Sequence, residues 1–143
     1  MRKLILFGSV CSLAFAACQN PQVQNNDQKL AEQAIAIHDE IMPQMPHLDK
    51  IELKLDTILN DLAGYKAANT ALDTAKTRVE LSALRDSVTA ATNNMNDWMM
   101  NFEPENENED YQKKQVEHVT AMKAQFERVH EQIKNSQLEN YKK

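Results

Sequence analysis

The most suggestive string for chemistry is His38-Asp39-Glu40-Ile41-Met42-Pro43-Gln44-Met45-Pro46-His47. On a helix, His38, Met42 and Met45 fall at i, i+4 and i+7 along one stripe. Imidazole and thioether are the donors that suit copper, Cu(I) in particular. If three helices lie side by side, this level of the first faces Met95 on the second and His118 or Met122 on the third. Those residues would complete a soft-metal site. The plainer reading is that methionine at helical spacing fills gaps in a core. No repeated Met-x-x-Met run, His-x-x-x-His pair or HExxH string sharpens the copper case. A second cluster, Trp98-Met99-Met100 with Phe102, either closes a core at a helix end or forms a contact patch. Trp98, Met99 and Phe102 would then meet a partner or the lipid interface, where tryptophan is at home.

Catalytic constellations are missing from the sequence, so an enzyme is not expected. Asp39 and Glu40 are adjacent, point to different parts of a helix surface and make a poor acid/base pair. The acidic run Glu103, Glu105, Glu107, Glu109, Asp110 lacks the D-x-[DN]-x-[DN]-G pattern of a calcium loop and its turn glycine. It suits a solvated face and the first turn of a following helix. There is no G-x-S-x-G and no glycine-rich phosphate loop.

The amino terminus reads MRKLILFGSVCSLAFAAC. Arg2 and Lys3 precede an uncharged apolar run over residues 4–14, too short to span a bilayer permanently, and then small residues precede a cysteine. Phe15-Ala16-Ala17-Cys18 resembles a lipobox, the tetrapeptide recognised by lipoprotein signal peptidase, with Phe15 in place of the usual Leu. The sequence therefore predicts a signal peptide over residues 1–17 and lipid on Cys18, which two or more acyl chains would hold stably on a membrane. Cys11 lies in the discarded segment, so no intramolecular disulfide remains and the fold must stand on its core. Loss of Arg2 and Lys3 makes the formal charge of −5 still more negative. That balance speaks against nucleic acid and anionic surfaces as partners.

Few glycines, few aromatics and many Ala, Leu, Glu, Gln and Lys predict long helices. Residues 18–28 are polar, Asn/Gln-rich and without apolar period, a flexible tether reaching up to about 30 Å. Residues 29–143 form the helical domain. Ala34, Ile41, Leu48, Leu55 and Leu62 recur every seven residues, and Leu30, Ile37, Gln44, Ile51 and Ile58 form the companion series. This predicts one helix over about residues 27–62 with a single buried seam. Pro43 and Pro46 normally stop a helix, but the seam keeps its phase across them, so the expectation is a kink rather than a break. Gly64 reads as a C-terminal cap with a loop over residues 64–68, and Asn69 or Thr70 as the next N-cap. A second helix would reach about Met100 along Leu81, Leu84, Val88, Ala91, Met95, Trp98 and Phe102. Leu72 and Val79 are offset from that rhythm, which suggests a stutter near Arg78. Pro104 marks an acidic turn, and Val119, Met122, Phe126, Val129 and Ile133 make the seam of a third helix ending near Tyr141. The predicted class is all-α, an antiparallel up-down-up three-helix bundle with a proline-kinked first helix. Two short, helix-stopping connections favour this monomer over a parallel coiled-coil oligomer.

The strings His38-Asp39-Glu40-Ile41-Met42-Pro43 and Asp97-Trp98-Met99-Met100-Asn101-Phe102, behind a lipoprotein signal, resemble small helical lipoproteins of the Bacteroidetes. Some of these carry the label "viral A-type inclusion protein", and the group implies no established activity. The resemblance implies a Gram-negative-type envelope, and Gln19 after the lipidated cysteine favours the outer membrane. The expected function is a membrane-anchored interaction or structural module with an envelope protein partner. A periplasmic copper binder is the alternative.

Overall fold

The structure, a computed structural model, describes residues 25–142. The expected signal peptide over residues 1–17, Cys18 and most of the tether lie outside the described residues. Those described are helical with no strand among them: α1 (Asn26–Ile41), α2 (Met45–Asn60), α3 (Leu62–Ala68), α4 (Thr74–Asn101) and α5 (Glu109–Asn135). One 3-10 turn, Met42–Gln44, joins α1 to α2, and another, Leu138–Asn140, follows α5. The class is all-α.

The proline segment shows how a buried stripe passes two missing donors. Pro46 cannot donate to the carbonyl four residues back, so the Met45 N–H bonds the Met42 carbonyl instead, which tightens one turn to 3-10. The Gln44 side-chain amide donates to the Glu40 carbonyl at 3.3 Å. Both prolines are exposed, while Ile41 and Leu48 on either side are fully buried. The helical path therefore keeps its seam but does not stay α-helical throughout residues 27–62. Across the turn its main packing partner changes, from α5 for α1 to α4 for α2.

Cross-helix contacts give the order of the elements. Asn26 bonds Glu109, Glu40 pairs with Lys123, His47 stacks on His130, and Lys54 pairs with Glu139, so α5 and the 3-10 turn after it are met in the same order as α1 and α2. Along α4 the order is reversed: His38 meets Trp98, Glu52 meets Thr89, and Asp56 meets Arg85 at 2.7 Å. The core is one cluster, with Ala34, Ile41, Leu48 and Leu55 sealed from solvent against Val88, Ala91, Met95, Val119 and Phe126. Burying each large apolar side chain contributes about 1.5–3 kcal/mol.

Several boundaries differ from the sequence expectation. α1 starts at Asn26, so residues 26–28 are helix rather than tether, with Asp27 placed favourably in the first turn. Gly64 does not cap a helix and residues 64–68 are not a loop. It lies inside α3, its N–H bonded at 3.0 Å to the carboxylate of Asp61, the N-cap. A Cβ at this position would stand 2.6 Å from that carboxylate, so the glycine admits the cap. Asp73, not Asn69 or Thr70, caps α4, accepting from Ala75 and Lys76 N–H at 3.0 Å each. Lys66 spans the connection by donating to the Thr70 and Leu72 carbonyls. The stutter near Arg78 is absent because Leu72 precedes α4 and Val79 is 70% exposed. Buried Thr77 continues the three-four rhythm instead. α5 ends at Asn135 rather than near Tyr141, because Gln137 turns left-handed at φ 51.

Gln112 carries the turn between α4 and α5. It is fully buried, and its amide nitrogen donates to the carbonyls of Glu103 (3.0 Å), Asn106 (2.9 Å) and, at 3.4 Å, Pro104. Tyr111 adds a second tie, its hydroxyl accepting from Glu103 N–H and donating to the Asn101 carbonyl. Gln112→Glu aims a carboxylate at those carbonyls and leaves them without a donor, a loss of more than about 1–3 kcal/mol in thermal unfolding at neutral pH. The variant's folded-state carboxyl pKa is then raised, so its deficit shrinks at about pH 4, where the protonated acid can donate. Equal deficits at both pH values would refute this account of the turn.

Candidate functional site

The cluster around Trp98 lies where the last turns of α1 and α4 meet, with the first half of α5 beside them. His38 stacks on the Trp98 ring at 5.3 Å between centroids and 27° between planes, and Phe102 stacks on it at 4.5 Å and 15°. Trp98 is 5% exposed, so it closes the core at this end. The exposed members of the expected contact patch are its neighbours, Met99 at 37% and Met100 at 74%, with Phe102 half-buried. The helical rhythm explains the split: Trp98 continues the seam through Ala91 and Met95, and the next two residues turn outward.

Two nitrogens in the stack have no hydrogen-bond partner: His38 Nε2 and Trp98 Nε1, both buried. His38 Nδ1 is spent on Asp39 Oδ1 at 3.0 Å. An unpaired buried polar atom costs about 1–3 kcal/mol, so ring stacking and apolar burial hold this end together against that cost. His118 is exposed on α5 and lines, with Asp97, Trp98, Asn101 and Gln115, an open cleft of about 160 Å³.

The other soft donors are divided between core and surface. Met45, Met95 and Met122 are buried in the apolar cluster, while Met42 is 36% exposed in the 3-10 turn. Among the described residues, no group of three or more His, Cys, Asp or Glu side chains is arranged to hold a metal ion. What the structure gathers is the ring stack of His38, Trp98 and Phe102, with His118 on a neighbouring cleft.

The acidic turn beside this cluster is ordered by hydrogen bonds to its own side chains. Asn108 caps α5 by accepting from the Asp110 and Tyr111 N–H groups, and Glu109 pairs with Lys113 at 2.6 Å. Lys113, by hydrogen bond and charge, together with the Asn26 amide holds the Glu109 carboxyl below its ordinary range. Gln112, which fixes this turn, was hidden in the sequence by its polarity, although it stands one heptad before Val119 on the same seam.

Two outcomes are expected. His38→Phe keeps the stack and removes one unpaired nitrogen, so it leaves stability unchanged or raises it by about 1 kcal/mol. Trp98→Ala opens a cavity and costs about 3–5 kcal/mol in thermal unfolding. A large loss from His38→Phe would show that its nitrogen is paired. For Glu109 the sign follows from its lowered carboxyl pKa. Its contribution is present above the unfolded value and disappears as pH falls through the folded one. Carboxyl NMR should find Glu109 titrating below ordinary glutamates and returning toward them in Lys113→Met; no difference between the two proteins would contradict the pairing.

The chain matches no protein-family model, and no curated protein or solved structure is significantly similar to it.

Proposed function

We propose that this protein is a lipid-anchored component of a bacterial envelope, a monomeric up-down-up three-helix bundle acting as a non-catalytic interaction module. In this reading the first helix is α1 and α2 joined through a proline kink, and the second and third are α4 and α5. The order of the cross-helix contacts supports that topology, same-direction for α5 and reversed for α4. Residues 1–17 are a signal peptide, Cys18 carries lipid through its thioether, and the tether is short because α1 begins at Asn26. No described helix is long and apolar enough to cross a membrane.

The observation that carries the reading is the lipobox-like Phe15-Ala16-Ala17-Cys18 a few residues ahead of a packed helix. Lipid there sets α1's start, the Trp98 stack and the acidic turn toward the membrane. Glu103, Glu105 and Glu107 are exposed in that turn, so an anionic surface would repel it and the domain would stand off on its tether. The outer membrane is the expected address, and an envelope protein the expected partner.

Mass spectrometry of the amino-terminal peptide from bacterial membranes tests the anchor. The expected product begins at Cys18 and carries diacylglyceryl mass on that residue. Cys18→Ser should move the protein from the detergent phase to the aqueous one. An unmodified Cys18, or a Cys18→Ser protein still partitioning with detergent, would defeat the proposal.

A further inference from the structure

The end of the molecule away from the Trp98 stack is open rather than dry. Two adjoining clefts there share Ser136, Gln137 and Tyr141. The smaller, about 160 Å³, lies between α3, the connection to α4 and the carboxy-terminal tail. The second continues along the start of α4 and the end of α5. The second, about 580 Å³, is within the roughly 300–1,000 Å³ of small-molecule sites, and the smaller extends it.

Carboxamides recur in the lining, alongside the apolar Leu72, Leu81, Ala83 and Leu84. Five carboxamides, Asn69, Gln132, Asn135, Gln137 and Asn140, border the two clefts. Tyr65 and Tyr141 meet edge to face at 6.0 Å and 75° beside them. Charge is sparse and mixed, with Lys142 on one cleft and Glu80 on the other. A carboxamide presents a donor and an acceptor side by side, which matches neighbouring hydroxyls, and a tyrosine ring offers a flat apolar surface to a C–H face.

Gln137 adds an independent observation. It takes the left-handed conformation, φ 51 and ψ 40, just past the end of α5, and no other non-glycine described residue has positive φ. Glycine is the residue that occupies this position without strain. Keeping a glutamine here costs stability, and its side chain stands at the junction of the clefts, accepting from the Asn140 amide at 2.9 Å. Strain retained in a cleft wall points to a use for the side chain.

We propose that these clefts bind a neutral saccharide, with the carboxamides addressing its hydroxyls and Tyr141 its apolar face. A peptide fits less well. The described residues offer no strand edge to pair with an extended backbone, and the lining has no concentration of charge to hold a terminus. α4 alone, with 28 residues, spans about 42 Å, so the site lies toward the far end from the proposed anchor. The proposal does not depend on the lipid, and its test is read separately.

The test is calorimetric titration of the full chain, held in a zwitterionic detergent without a sugar headgroup. The probes are maltotriose, triacetylchitotriose, trigalacturonate and trialanine. Saturable binding of at least one neutral trisaccharide is expected, weaker by about tenfold or more in Asn135→Ala and Gln137→Gly. Gln137→Gly should at the same time raise Tm, since it relaxes the backbone, so weaker binding there cannot be blamed on unfolding. No saturation by either neutral trisaccharide, equal binding by Gln137→Gly, or tighter binding of trigalacturonate or trialanine would overturn the proposal.

Discussion

The architecture depends on carrying one apolar stripe past two prolines without losing phase. Pro43 and Pro46 remove two backbone donors and crowd two carbonyls within a single turn. A plain α-helix cannot absorb that, and a full break would shift the stripe out of the core. The 3-10 turn Met42–Gln44 resolves the conflict by shortening a hydrogen-bond step from four residues to three. Ile41 and Leu48 stay sealed on either side. The same turn lets α1 lean on α5 and α2 lean on α4, so a single helical path meets both of its neighbours.

Helix ends pose the complementary problem, because each leaves backbone groups without intrahelical partners. Short carboxylate and amide side chains solve it here at the starts of three helices: Asp61 for α3, Asp73 for α4 and Asn108 for α5. The turn between α4 and α5 needs more, since its carbonyls face inward. Gln112 supplies the donor from a fully buried position on the α5 seam. The acidic side chains of that turn remain free to face water because its backbone is satisfied from inside.

The parts legible in the sequence were those set by apolar spacing. Leu81, Leu84, Val88, Ala91, Met95 and Trp98 form the α4 seam, and Val119, Met122, Phe126 and Val129 the α5 seam, as their spacing predicts. The errors fall where a polar or small residue takes a role that its type does not announce. Gly64 signals a helix end, yet the Asp61 cap recruits it into a helix start. Thr77 occupies a core position that spacing alone would have assigned, but its hydroxyl disguised it and made Val79 look like a slipped register. Gln112 was overlooked for the same reason. Of the candidate site, the aromatic string was legible as a cluster. The stacking of His38 against Trp98 was not, because it depends on how two helices far apart in sequence meet.

The two ends of the molecule use polar side chains in opposite ways. At the Trp98 end, His38 Nε2 and Trp98 Nε1 are buried and unpaired, and the rings close over them. Ring stacking and apolar burial hold that end together against the cost of the unpaired nitrogens. At the other end, carboxamides border clefts around Tyr141, where those groups not already bonded within the chain can exchange water for a ligand hydroxyl. If the domain is tethered by the first end and recognises by the second, as proposed, it needs no moving part. Its helices would only have to hold the amide-lined clefts clear of the surface, a separation that the unbroken run of α4 from Thr74 to Asn101 supplies.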